Sequence, residues 1–173
     1  KNFYNFLDKN NKKIFNLSSP FIEKAIYESC KIKKSVVEED EKEKGMRKIL
    51  NFGHTFAHAF EASLGYSKKL NHGEAVILGI IVALKFSFDN KLIKLKEFNQ
   101  IMKHALNMDL PTDIKNYFSL KSLNTILTFM MKDKKNISDK INLILLKQIG
   151  STVIDNEYNY TKIKKFLKKE LTN

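Results

Sequence analysis

Arginine, cysteine, proline and glycine are all scarce in this chain of 173 residues. The single cysteine, Cys30, excludes an intrachain disulfide framework and fits a reducing cytoplasm, where we expect the protein to reside. Two prolines and six glycines argue against an all-β sandwich rich in tight turns, and they favour long helices. The longest apolar run, residues 75–84, is about half the ~20 residues that a membrane span needs, and we expect no secretory leader because no charged-then-apolar pattern precedes it. We therefore expect a helical protein with no membrane partner.

The near absence of arginine also bears on the strong positive charge. The formal net charge is +12, yet 30 of the 31 basic residues are lysine and only Arg47 is arginine. Specific contacts to bases and phosphates favour the planar, bidentate guanidinium group. Asparagine is abundant as well, with 17 residues, so the surface is typical of a general lysine and asparagine bias. We expect no nucleic-acid partner, and a lysine-rich module with steeply salt-dependent DNA binding is kept as the remote alternative.

Helical periodicity dominates the rest of the sequence, and an apolar content of 43% is enough for one hydrophobic core. We predict a single, mainly α-helical domain over residues 1–173, without internal repeats or linkers. The apolar run of residues 75–84 follows a capping-box pattern that begins at Asn71, and it should form the central buried helix. Strands are predicted only near residues 140–154, where two apolar runs flank Gly150 as a β-hairpin.

One predicted helix, residues 43–61, carries an unusual polar face. At about 100° per residue, six polar side chains fall within a band of roughly 80°, opposite a row of apolar ones. They are Glu43, Arg47, Asn51, His54, His58 and Glu61. This face contains no lysine, although the chain has 30, and it includes the only arginine and two of the four histidines. A solvated helix face is the ordinary interpretation of such a pattern, but this composition favours a binding site.

Two histidines on that face, His54 and His58, have the spacing at which imidazoles can share a metal ion. The spacing alone is a weak signal, because the HExxH pattern of zinc proteases is absent. A third histidine, His72, opens the next helix, and a helix hairpin would bring it back toward His54. We interpret the fourth, His104, as structural or exposed. Gly53 costs up to about 1 kcal/mol in mid-helix relative to alanine, which favours close approach of a ligand or of another backbone there.

Together these residues resemble the motifs of the 3-dehydroquinate synthase family, within the sugar-phosphate cyclase superfamily. The matching segments follow one another in order from about residue 20 to the C-terminus. They are residues 33–37, 43–61, 72–76, 131–135 and 141–150. The resemblance implies a multi-helix C-terminal domain of the dehydroquinate synthase-like fold, joined to an upstream NAD-binding α/β domain. We therefore expect this sequence to be the C-terminal part of a longer protein.

The family's chemistry is implied in the same way. Its members convert 3-deoxy-arabino-heptulosonate 7-phosphate to 3-dehydroquinate and phosphate, in the shikimate pathway of aromatic amino acid and chorismate biosynthesis. NAD transiently oxidises a ring hydroxyl, and Zn²⁺ or Co²⁺ holds the substrate hydroxyls and polarises the transient carbonyl. The expected partners are this phosphorylated sugar acid, the two cofactors, the upstream domain and, in the complete protein, a second copy as a homodimer. The C-terminal part alone is not expected to be catalytically competent.

The resemblance also gives roles to residues of the polar face. His54 and His72 match the two histidine ligands of the metal, and the third ligand, a glutamate, belongs to the upstream domain. His58, Asn51 and Glu43 match catalytic positions around the substrate. His58 is suited to proton transfer near pH 7.

Three cations match the groups that bind the carboxylate and phosphate of the substrate, namely Lys33, Arg47 and Lys134. Two departures from the family pattern are visible: Ala57 replaces a usual glycine, and the loop of residues 66–71 is about one residue longer. Two alternatives in the same superfamily stay open, another cyclase such as 2-deoxy-scyllo-inosose synthase and an iron-dependent polyol dehydrogenase. The cations favour the first family, because a substrate without a carboxylate has less use for them.

Overall fold

The computed structural model describes residues 1–132 and 140–172, and most of these residues are helical. The α-helices are α1 (Asn2–Phe15), α2 (Phe21–Glu39), α3 (His54–Ser63), α4 (His72–Asp89), α5 (Leu95–Asn107), α6 (Leu123–Lys132) and α7 (Tyr160–Thr172). Shorter 3₁₀ helices cover Met46–Asn51, Ile114–Asn116 and Leu120–Ser122. Strands β1 (Lys140–Gln148) and β2 (Ser151–Asn159) pair antiparallel. None of the described helices is long and apolar enough to span a bilayer.

The helix α4 lies at the centre of the fold, as its apolar sequence predicts. Its buried residues include Leu78, Val82 and Phe86, and α3, α5 and β1 pack around it. Each such side chain contributes roughly 1.5–3 kcal/mol when fully buried, so this layer accounts for much of the stability. The helix begins where the capping pattern predicts, because the Glu74 carboxylate accepts a hydrogen bond from the backbone N–H of Asn71 at 2.9 Å.

The predicted hairpin near residues 140–154 is confirmed, although β2 continues to Asn159. Ile141, Leu143 and Leu145 are buried on the face of β1 that packs against α4. A buried serine fastens the strand to the helix, since the Ser87 hydroxyl accepts the backbone N–H of Leu146 at 3.0 Å. The hairpin thus covers the central helix and completes the core.

The prediction of one continuous helix over residues 43–61 is wrong in its first half. The chain instead forms a loop after α2, then the 3₁₀ helix Met46–Asn51, and α3 begins only at His54. Gly53 separates the two helices with a φ of +82°, a left-handed conformation that glycine adopts without steric cost. A Cβ atom at Gly53 would lie 2.6 Å from the backbone nitrogen of Ile80, so this glycine permits close approach of another backbone. The six polar residues therefore do not share one helical face.

The fourth histidine has a structural role, one of the two outcomes predicted for it. His104 Nδ1 donates to the Asp8 carboxylate at 2.7 Å and joins α5 to α1. The ring of Tyr4 lies beside it, with the ring centroids 5.7 Å apart. Burial, together with the nearby charge of Asp8, raises the pKa of Tyr4 to about 12. This contact belongs to the packing of the first helix.

Candidate functional site

The loop between α2 and the first 3₁₀ helix is organised by Asp40. Its carboxylate accepts hydrogen bonds from the backbone N–H groups of Lys44 at 2.9 Å, Gly45 at 2.7 Å and Arg47 at 3.0 Å. These bonds, that from Arg47 above all, hold the pKa of Asp40 below its ordinary value of 3.8. Sequence reasoning missed Asp40. The available signal was an aspartate shortly before a glycine in a charged segment, which is typical of a turn.

The loop and the 3₁₀ helix Met46–Asn51 carry three of the predicted site residues, Glu43 in the loop and Arg47 and Asn51 in the helix. Asn51 Nδ2 donates to Glu43 Oε1 at 2.6 Å. Glu43 itself has a φ of +53°, a conformation that residues other than glycine rarely adopt. Arg47 Nη1 donates to the backbone carbonyl of Glu41 at 2.6 Å, which restrains the guanidinium group over the loop. The loop and the 3₁₀ helix therefore hold these side chains in a restrained arrangement.

A small open pocket forms where this loop faces α2 and the start of α3. Its volume is about 250 Å³, and it is lined by Lys33, Glu43, Arg47, Leu50, Asn51 and His54. Five of these six are predicted site residues. Four of them were placed on the predicted helix of residues 43–61, and Lys33 was assigned through the family resemblance alone. Two cations facing one carboxylate suit a small anionic group. Lys134, the third predicted cation, lies outside the described residues.

The helix α3 carries the second part of the site. His54 opens the helix and His58 follows one turn later, with the ring centroids 5.5 Å apart and the rings edge to face. His54 Nδ1 lies 3.4 Å from the backbone carbonyl of Phe52, a long contact in which the carbonyl can only accept. A proton on Nδ1 would satisfy this contact, and a neutral ring would then have its lone pair on Nε2.

Glu61, near the end of α3, contacts His72 at the start of α4. The Nδ1 atom of His72 lies 3.0 Å from one oxygen of the Glu61 carboxylate and 3.2 Å from the other. Because residues at i, i+4 and i+7 share a helix face, this contact places His72 on the face of α3 that holds His54 and His58. At 1.5 Å per residue, His54 and Glu61 are about 10 Å apart along the axis. His72 thus lies near the Glu61 end of this face of α3, and His54 lies at its other end.

The histidines have suitable chemistry for a metal but do not complete a site by themselves. Within residues 1–132 and 140–172, no three His, Cys, Asp or Glu side chains are grouped closely enough to hold a metal ion. Imidazole nitrogens are common zinc ligands, and His54 and His72 each have Nδ1 against an acceptor and Nε2 left as a donor to metal. The pair fits a zinc or cobalt ion only with a further ligand. Their assignment to one ion stays a prediction.

The same fold occurs in solved enzyme structures. The 2-epi-5-epi-valiolone synthase of Streptomyces hygroscopicus subsp. jinggangensis 5008, with NAD⁺ and Zn²⁺ bound, matches with a TM-score of 0.81 and 15% identity, over 98% of this chain and 46% of that one. A 2-deoxy-scyllo-inosose synthase, complexed with carbaglucose-6-phosphate, NAD⁺ and Co²⁺, matches with a TM-score of 0.63 and 27% identity, over 86% and 40% of the two chains. The fold is therefore that of the sugar-phosphate cyclases.

Sequence comparison narrows this class to one family. Residues 1–136 match the family described as 3-dehydroquinate synthase C-terminal. The 3-dehydroquinate synthase of Pelagibacter ubique (strain HTCC1062) is 62% identical over 172 residues, which are 99% of this chain and 47% of that protein. The enzyme of the same name from Bradyrhizobium diazoefficiens is 36% identical over 98% of this chain and 45% of its own length. The chain belongs to the 3-dehydroquinate synthase C-terminal family, and it spans about half the length of these curated relatives.

Proposed function

We propose that this chain is the metal- and substrate-binding part of a 3-dehydroquinate synthase. Together with an upstream NAD-binding domain, and as a cytoplasmic homodimer, it converts 3-deoxy-arabino-heptulosonate 7-phosphate to 3-dehydroquinate and phosphate. Family membership supports the reaction. The observation that carries the site is the pocket whose lining includes Lys33, Arg47 and His54.

The cations of the pocket bind the acidic ends of the substrate. Arg47 offers a planar group with several N–H donors, and its contact to the Glu41 carbonyl restrains that group before the substrate arrives. Lys33 adds a second positive charge from α2. Lys134 is the third cation of this proposal. Fixed cations suit a substrate that carries both a carboxylate and a phosphate.

The remaining residues act at the substrate ring. His58 holds or releases a proton at a ring hydroxyl, because imidazole changes its charge near neutral pH. Asn51 and Glu43, bonded to each other at 2.6 Å, orient the hydroxyl groups near the pocket. His54, His72 and a further ligand would hold Zn²⁺ or Co²⁺, which would supply Lewis-acid polarisation of a carbonyl, and NAD would supply the hydride chemistry.

A related cyclase that acts on a sugar phosphate without a carboxylate is the second candidate, favoured by the structural match to the 2-deoxy-scyllo-inosose synthase. Such a substrate carries one anionic group, so it needs fewer cations than the pocket and its surroundings offer. Turnover of the acidic heptulosonate phosphate by the complete protein would separate the two. An iron-dependent polyol dehydrogenase would instead oxidise its substrate without releasing phosphate.

The metal assignment has its own test. In the complete protein, we expect His54→Ala and His72→Ala to abolish stoichiometric zinc, measured by elemental analysis after gel filtration. His58→Ala is the matched control, since it removes the neighbouring imidazole on the same helix face and should retain zinc while lowering kcat about 10²–10⁴-fold. If His54→Ala bound zinc as tightly as the unaltered protein, the assignment of His54 would be wrong.

A further inference from the structure

We propose that Glu61 is a positioning residue for His72, holding the ring so that its Nε2 atom is presented to the metal. This inference rests on the proposed function, in which His72 is a ligand. Nothing in the family resemblance assigns a role to Glu61. The proposal comes from the contact between the end of α3 and the start of α4.

The contact sets the tautomer of His72. Both carboxylate oxygens of Glu61 lie within hydrogen-bonding distance of Nδ1, at 3.0 and 3.2 Å. An ionised carboxylate can only accept, so the ring nitrogen that faces it must carry a proton. The lone pair of a neutral His72 ring is then on Nε2. A carboxylate behind a metal-ligating histidine fixes the ring orientation and raises the basicity of the ligand.

The Glu61 side chain is much less exposed than the His72 ring, so we take Glu61 as the residue that restrains the ring. The Glu61 side chain is only 13% exposed, whereas that of His72 is 65% exposed. Glu61 is seated on α3, whose opposite face is buried against α4 and α6, so its position is set by the core. His72 stands at the first position of α4, where the capping contact of Glu74 to Asn71 holds the backbone but not the imidazole. The hydrogen bond that His72 Nδ1 donates to Glu61 thus restrains an otherwise solvent-facing ring.

The test compares Glu61→Ala, Glu61→Gln and a matched control in the complete protein. Glu170→Ala is the control, because Glu170 is a glutamate of similar exposure, 15%, that is paired with Lys85 on another part of the fold. We expect Glu61→Ala to weaken zinc binding about 10–100-fold in competition with a chromophoric chelator, while Glu170→Ala leaves it unchanged. Glu61→Gln retains an oxygen that can accept from Nδ1, so it should lose less.

A second readout does not depend on metal or on turnover. In zinc-free protein labelled with ¹⁵N-histidine, the nitrogen shifts of His72 should report a proton on Nδ1, and Glu61→Ala should lose that single tautomer. Glu61→Gln keeps the size of the side chain, so this readout is available even if the alanine variant folds poorly. Melting temperatures of all three variants check that each one is folded.

The outcomes separate this inference from the function on which it rests. If His72→Ala loses zinc but Glu61→Ala binds it normally, the positioning role is wrong and the proposed function stands. If His72→Ala retains zinc, the ligand assignment fails and the role of Glu61 fails with it. If Glu61→Ala and Glu61→Gln both lose zinc as completely as His72→Ala, Glu61 is itself a ligand and the positioning role is overturned.

Discussion

The two parts of the candidate site are held in place by different forces. Residues 40–53 form a loop and a 3₁₀ helix, and their geometry depends on backbone hydrogen bonds to Asp40. The helix α3 is instead anchored by Phe56, Ala57 and Phe60, all buried against the core. The first part carries Arg47, which we propose binds the anionic substrate, and the second carries His54 and His58. A site can thus combine a hydrogen-bonded loop with a rigid helix and assign different chemistry to each.

The largest expected effect tests whether the two parts of the site have separate functions. Arg47→Ala removes the guanidinium from the loop, and we expect a loss of about 2–5 kcal/mol in substrate binding if a buried, charge-assisted pair is lost. Zinc content should be unchanged, because the proposed ligands His54 and His72 lie at the starts of α3 and α4, outside this loop and 3₁₀ helix. The measurement is KM and kcat of the complete protein, with zinc determined on the same samples.

Lys44→Ala is the matched control for Arg47. It removes a positive charge from the same loop, but only the backbone N–H of Lys44 contacts Asp40, so binding should change little. Unaltered KM and kcat in Arg47→Ala would remove this arginine from the site. Loss of zinc in the same variant would show that the two parts are not separate.

The second effect concerns the point where the two parts meet. A Cβ atom at Gly79 would collide with the carbonyl oxygen of Gly53 and lie 2.9 Å from the backbone nitrogen of Ala57. Overpacking of this kind costs about 1–3 kcal/mol, which exceeds the gain in helix propensity from alanine. We therefore expect Gly79→Ala to lower the urea midpoint of unfolding clearly.

Gly73→Ala provides the comparison on the same helix. Apart from its chain neighbours and the adjoining backbone of α4, no atom of the described residues lies within 4 Å of the position that its Cβ would occupy. Alanine there should therefore be neutral or stabilising by up to about 1 kcal/mol. Equal tolerance of alanine at both positions would contradict the close contact between α3 and α4.

The third prediction concerns the pH dependence of the hydrogen bonds that Asp40 accepts. Because the pKa is lowered in the folded protein, the hydrogen bonds of Asp40 stabilise the loop above pH 3.8 and are lost as the pH falls through the lowered value. The amide shifts of Lys44, Gly45 and Arg47 should therefore titrate together, with a midpoint below 3.8, in NMR spectra. The amide of Leu146, which donates to the Ser87 hydroxyl, should not follow them. Asp40→Asn should abolish the common titration, and three unrelated midpoints would rule out a shared acceptor.

The contrast between the two parts also explains what could be predicted from sequence. The apolar periodicity of α4 and the hairpin around Gly150 identify the core elements, since burial imposes regular spacing. The set of residues around the pocket was predicted through motif resemblance. The break at Gly53 was not predicted, because the spacing of residues 43–61 matches a helix whether or not the helix is interrupted at the glycine. The role of Asp40 depends on hydrogen bonds to the backbone, which leave no periodic signal.

The smallest expected effect is on stability, and it is neutral or slightly stabilising where the earlier ones are losses. It comes from a substitution in the loop that should lower activity without lowering stability. Glu43 has a φ of +53°, a conformation that costs a non-glycine residue roughly 1–2 kcal/mol. Glycine removes that cost but adds about 0.5–1 kcal/mol of conformational entropy to the unfolded chain, so Glu43→Gly should be neutral or slightly stabilising. Activity should nevertheless fall, because Asn51 loses its partner at 2.6 Å.

Lys91→Gly is the control, since Lys91 has a similar φ of +58° outside the pocket and its replacement should leave activity unchanged. Unfolding midpoints and kcat of both variants test this, and a Glu43→Gly variant that was fully active would show that the strained glutamate serves only the loop.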